Sequence, residues 1–134
     1  MKPFELKSTF VVVDSTLSCS PVEVGPALYQ ELDDRFSGFR QCLLVAEYSF
    51  DRDWPTWEMH PAGDEILYLL SGRAELRLWV NGETRTIPFD RPGATVVIPR
   101  GTWHTAHIQG ECRILFITPG EGTINAAEPG EGKG

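Results

Sequence analysis

All three histidines of the chain, His60, His104 and His107, fall in stretches where carboxylates and turn residues recur at set intervals. The first stretch reads Glu58-Met59-His60, then four residues to Glu65 and six more to Gly72. The second reads Gly93, five residues, Pro99-Arg100-Gly101, two residues, His104. Glu58 and His60 are two apart, so on a strand they share a face. Two imidazoles with one or two carboxylates on neighbouring strands make a site for a divalent first-row metal, because both donor types suit such ions.

The elements that must hold these residues read as strands. Thr9–Val13 is a short β-branched run. From Gln41 the pattern is strand and turn throughout: Gln41–Phe50, Trp57–His60, Glu65–Leu70, Arg73–Val80, Glu83–Phe89, Ala94–Ile98, Trp103–Ile108 and Arg113–Thr118. Arg73–Val80 alternates cleanly, and Asn81-Gly82 after it is a strong hairpin signal, since both residues tolerate positive φ. Pro26–Phe36 is the one helix candidate: Pro26 suits the first helical position, and Leu28, Tyr29, Leu32 and Phe36 share a face. The expected class is all-β, a sandwich or small barrel with one short helix in the N-terminal part. Residues 1–40 are expected to pack on a barrel formed by 41–118. Residues 119–134 are rich in Gly, Pro and Glu and are expected to form a flexible tail.

Composition bounds the partners. The 134 residues suffice for one domain. A net charge of −7 argues against a nucleic-acid surface, which needs clustered Lys and Arg. No stretch approaches the roughly 18 continuous apolar residues of a membrane span, and no signal peptide opens the chain, so a cytoplasmic location is expected. Cys19, Cys42 and Cys112 include no close pair, and an odd count fits a reducing compartment.

The two stretches resemble the paired signature motifs of the cupin superfamily. Glu58 to Gly72 matches the first motif except that Glu58 stands where its first histidine belongs. Gly93 to His104 matches the second, with Ile108 where an asparagine is expected, a change assigned to packing. The resemblance spans roughly Gln41 to Thr118. It implies a double-stranded β-helix, or jelly roll, with a metal held by Glu58, His60, Glu65 and His104. The ion would be Fe, Mn, Ni or Zn. Two carboxylates and two neutral imidazoles would leave a divalent ion close to charge balance in a partly dry pocket.

Three functions follow from such a scaffold, and fold alone does not choose among them. The first is a small metal-dependent enzyme acting on a small organic molecule, either dioxygenase-like or an isomerase or lyase, with Glu58 a fourth ligand or the general base. The second is a non-catalytic ligand-binding or sensory module, and the third a metal-free structural cupin. Glu65 rather than Asp64 should face inward, and His107 should lie outward or at the rim. Tyr48, Tyr68 and Arg113 are further candidates to reach a pocket. Trp57, Trp79 and Trp103 fall on the face opposite the inward pattern and suggest a homodimer, the competing reading being that the chain's own N-terminal segment covers them.

Overall fold

A computed structural model describes residues 2–130. The strands are β1 (Thr9–Val13), β2 (Cys19–Glu23), β3 (Leu43–Phe50), β4 (Trp57–Met59), β5 (Glu65–Val80), β6 (Glu83–Phe89), β7 (Thr95–Ile98), β8 (His104–Thr118) and β9 (Ile124–Ala126). The helix α1 (Leu28–Arg35) falls between β2 and β3. The pairings run β2-β1-β3-β8-β4-β9, while β5 pairs with β6, β7 and β8. This is the jelly-roll β-barrel that the sequence leads one to expect.

Its frame is the antiparallel pairing of the two long strands, β5 and β8. Each covers what the sequence presents as two shorter strands. In β5 the buried positions are Glu65, Leu67 and Leu69 before the middle and Ala74, Leu76 and Leu78 after it. The parity changes because register shifts against β8 fall between Leu69 and Ser71 and between Gly72 and Ala74. A bulge of this kind bends a strand while keeping one face inward. Gly72 sits at the bend with φ +75, and a Cβ there would run into the carbonyl oxygen of Glu111. The motif glycine is therefore required by close approach of the two long strands. Asn81 and Gly82 make the expected hairpin between β5 and β6 at φ 52 and 78.

Two apolar clusters stabilise the fold. Leu67, Leu69, Leu76, Phe89, Ile98, Ile114 and Phe116 are among those that fill the barrel. Phe10, Val12, Val22, Leu28, Leu32, Phe39 and Leu44 form a second cluster between α1 and the sheet, and Tyr48 packs against both. Residues 1–40 thus add strands and a helix beside the barrel, β2 among them without having been anticipated.

Two expectations are corrected. Part of the segment expected as a flexible tail is built into the sheet: Ile124–Ala126 pairs with β4, with Glu58 opposite Asn125. The pairing satisfies backbone groups on a three-residue strand that has little propensity of its own. Residues 131–134 lie outside the described residues. Trp103 is 5% exposed within a single chain, so it is core rather than surface. Trp57 is half-buried, and Trp79 is the most exposed of the three.

Candidate metal centre

Glu58 lies on β4 opposite His104, the first residue of β8. His60 follows β4 directly, and Glu65 opens β5. The loop between His60 and Glu65 is tied to the Pro99-Arg100-Gly101 turn. Gly101 N–H donates to the His60 carbonyl at 3.0 Å, and Arg100 N–H donates to Asp64 Oδ1 at 2.7 Å. The neighbouring acids have therefore divided their work: Asp64 fastens the two motifs together, and Glu65 faces inward at 2% exposure. His60 and His104 are also buried.

The hydrogen bonds around the rings fix how each imidazole presents itself. The Thr123 hydroxyl donates to the Gly120 carbonyl at 2.9 Å, so toward His60 Nδ1, 2.8 Å away, it can only accept. His104 Nδ1 lies 3.0 Å from the Thr102 carbonyl, which also can only accept. Both rings therefore carry hydrogen on Nδ1, and in the neutral form each directs the Nε2 lone pair inward. Those lone pairs face carboxylate oxygens. His104 Nε2 is 3.1 Å from Glu65 Oε1, and His60 Nε2 is 3.3 Å from Glu65 Oε2. Glu58 Oε1 stands 3.8 Å from His104 Nε2 and 4.0 Å from His60 Nε2.

Four acceptors converging in a buried space repel one another unless a cation lies among them. Both Nε2 atoms and Glu65 Oε1 are buried without an aligned hydrogen-bond partner. Donors about 2.1 Å from a shared ion stand about 3.0 Å apart at right angles and about 3.4 Å apart in a tetrahedron. The 3.1 and 3.3 Å separations between the imidazoles and Glu65 are of that size, and those to Glu58, 3.8 and 4.0 Å, are longer. Ligating atoms of Glu58, His60 and His104 all lie within 4.8 Å of one another. The residues fit a divalent metal, and the Thr118 hydroxyl orients the Glu65 carboxylate by donating to Oε2 at 2.6 Å.

With no ion bound, protons must separate these groups. Burial works to raise the Glu65 carboxyl, but contact with His104 and His60 prevails and holds it at about 2. Burial works to lower His104, and Glu65 more than reverses this, so its value is raised. Glu58 is different. Burial raises its carboxyl above the ordinary value, opposed by His104 and His60 and assisted by the negative Glu65. It is also the least buried of the four, with its side chain 30% exposed.

The centre opens into a cavity of about 940 Å³ whose lining includes Tyr29, Tyr48, Phe50, Trp54, Phe116 and Glu58. Of the other candidates, Tyr48 reaches this cavity, whereas Arg113 pairs with Glu47 at 2.7 Å and Tyr68 is exposed. His107 is partly exposed, with Nδ1 3.1 Å from Asp53 Oδ2, in the outward or rim position expected of it. Ile108 packs against the barrel core, which agrees with the packing role assigned to it. Sequence reasoning missed Thr118 and Thr123, which orient Glu65 and His60, because a lone threonine outside the signature motifs carries no spacing signal. It also missed Trp54, whose ring centroid lies 6.0 Å from that of His104.

Solved structures similar to this chain share its barrel. An oxalate oxidase is 22% identical with a TM-score of 0.53, over 61% of this chain and 45% of its own. The oxalate decarboxylase of Bacillus subtilis, a protein with Mn(II) centres, is 18% identical with a TM-score of 0.53, over 63% of this chain and 23% of its own. Hydroxypropylphosphonic acid epoxidase from S. wedmorenis is 16% identical with a TM-score of 0.50, over 57% and 42%. This chain thus spans less than half the length of each, and at such identities the likeness speaks to fold alone. No curated protein matches the sequence. The Cupin domain family matches residues 51–118, just over half the chain and both motif segments, and the chain therefore belongs to the cupin family.

Proposed function

We propose that this chain is a metal-dependent enzyme acting on a small organic molecule, with His60, Glu65 and His104 as the metal's ligands. The observation that carries the reading is the pair of buried Nε2 atoms, on rings oriented through Nδ1 by Thr123 and Thr102, that converge on the buried Glu65 carboxylate at 3.1 and 3.3 Å. A bound Mn, Fe, Ni or Zn would supply Lewis acidity or a site for oxidative chemistry at the mouth of the cavity. The Mn(II) of the decarboxylase makes manganese a natural first choice to test.

The chain's own groups divide the remaining work. Glu65 and the two imidazoles are buried and held by hydrogen bonds, so they are fixed donors. Glu58 is farther from both imidazoles, partly exposed and lines the cavity. With its proton affinity raised by burial, it is suited to take a proton from a substrate carbon or hydroxyl and return it. The aromatic walls limit water around that transfer. A homodimer accompanies this reading: Trp79 is exposed, and β6, which among the described residues pairs only with β5, leaves its other edge open there.

The test is a two-part screen of metal-loaded and chelator-treated protein. One part follows oxygen uptake with enol-like or phenolic compounds. The other follows solvent-deuterium exchange at carbons next to a carbonyl, which reports isomerase or lyase chemistry. Metal-dependent turnover in either part supports an enzyme. Stoichiometric metal with turnover in neither would leave a binding module.

A further inference from the structure

The wall of the cavity points to a class of ligand. From the metal centre outward, Trp54 lies beside His104, Phe50 and Phe116 lie beside Trp54, and Tyr48 lies beside both phenylalanines. The successive ring centroids are 5.6–6.2 Å apart. These four rings line one cavity. Aromatic rings at such spacing offer faces and edges to another ring, with orientations that an aliphatic ligand does not exploit.

Charge narrows the class. The carboxylates lining the cavity are Asp33, Asp51, Asp53, Glu58 and Glu65. Among the described residues the one Lys or Arg in the lining is Arg52, whose side chain is 85% exposed and already pairs with Asp51 at 3.1 Å. An anionic ligand would therefore be repelled everywhere except at a bound metal. A polar anchor of the right kind lies at the end of the aromatic run. The Tyr48 hydroxyl on β3 bonds the Tyr29 hydroxyl on α1. Two hydroxyls sharing one hydrogen bond keep one O–H and several lone pairs for a third partner. Burial and this mutual bond push the Tyr48 phenol up, and burial pushes Tyr29 up as well, so both stay neutral.

We propose that the cavity binds an uncharged aromatic compound bearing a hydroxyl group, its ring against Phe50, Trp54 and Phe116 and its hydroxyl on the Tyr29–Tyr48 pair. This rests on the enzyme reading for its consequence, turnover, but not for binding itself. Tyr29 gives α1, which lies outside the family match, a role in selecting the ligand.

The experiment compares naphthol, naphthoate and oxalate on chelator-treated protein by titration in nitrogen–proton correlation NMR. The Trp54 indole signal, assigned by its loss in Trp54→Phe, is the local reporter. Naphthol is expected to saturate and to move that signal. Naphthoate, of the same shape but anionic, is expected to bind at least about tenfold more weakly, as one repelled charge implies. Oxalate should not bind until metal is added. Tyr48→Phe should weaken naphthol about three- to tenfold, the range for one lost hydrogen bond. Naphthoate or oxalate binding as tightly as naphthol without metal would overturn the proposal, as would naphthol leaving the Trp54 signal unmoved. An unchanged naphthol affinity in Tyr48→Phe would overturn the assignment of the anchor. The two readings fail separately: naphthol bound by a protein that takes up no metal defeats the enzyme, whereas metal uptake without naphthol binding defeats this proposal.

Discussion

Glu65→Gln is expected to destabilise the metal-free protein most in mildly acidic solution. Glu65 is 2% exposed, with its two oxygens 3.1 and 3.3 Å from the imidazoles of His104 and His60. Its carboxyl is held at about 2, against an ordinary value of 4.5. At about 1.4 kcal/mol per unit, that depression corresponds to stabilisation on the order of 3 kcal/mol. The sign follows from both partners. A depressed carboxyl contributes fully above its unfolded value of 4.5, and the contribution is lost as pH falls through about 2. A raised imidazole contributes fully below its unfolded value of 6.5 and loses the contribution as pH rises through its folded value. The pair is therefore strongest between 4.5 and 6.5. For a chain of this length each kcal/mol moves the midpoint by about 3–4 °C, so the variant should melt about 10 °C below the parent at about pH 5.5. As pH rises through the raised folded value of His104, that imidazole loses its proton and the difference should shrink. Circular-dichroism melts in chelator at about pH 5.5 and at successively higher pH measure this. A variant within about 2 °C of the parent at the lower pH would refute the reasoning.

Other outcomes follow from the same geometry. Glu58→Gln should keep bound metal yet abolish turnover; metal analysis showing loss of the ion would make Glu58 a ligand instead of the base. Thr123→Val removes the acceptor for His60 Nδ1–H, and metal titration should show affinity falling about 10- to 100-fold while the fold persists. Light scattering at tens of micromolar should give twice the chain mass, and Trp79→Lys should return a monomer.

Much of the site was legible because its residues obey local spacing. Glu58 and His60 are two apart near one short strand, and Glu65 begins a run whose odd positions turn inward. The even positions Ala74, Leu76 and Leu78 were equally plain, but the bulge joining the two runs depends on how closely β8 approaches Gly72. That is a tertiary fact, so β5 and β8 each read as two strands. The strand β9 was hidden for a similar reason. Ile124–Ala126 lies in a Gly- and Pro-rich stretch with no pattern of its own, and it is extended because β4 offers a partner. With it came Thr123, which fixes the tautomer of His60. The strand β2 was obscured by Pro21, admissible because β2 pairs on one side only, with β1. Trp103 misled because alternation assigns a residue to a face of its own sheet and does not say what covers that face.

The central claim is that a divalent metal is held by two imidazoles and a buried carboxylate. Its most direct test is to load chelator-treated protein with Mn, Fe, Ni and Zn in turn, measure bound metal after desalting, and record the X-ray absorption spectrum of the tightest complex. The account predicts one ion per chain, two imidazole nitrogens in its coordination shell, and loss of the ion in His60→Ala and His104→Ala with the fold retained. A folded protein that retains none of the four metals at stoichiometric loading, or one whose bound ion shows no imidazole scattering, would contradict it.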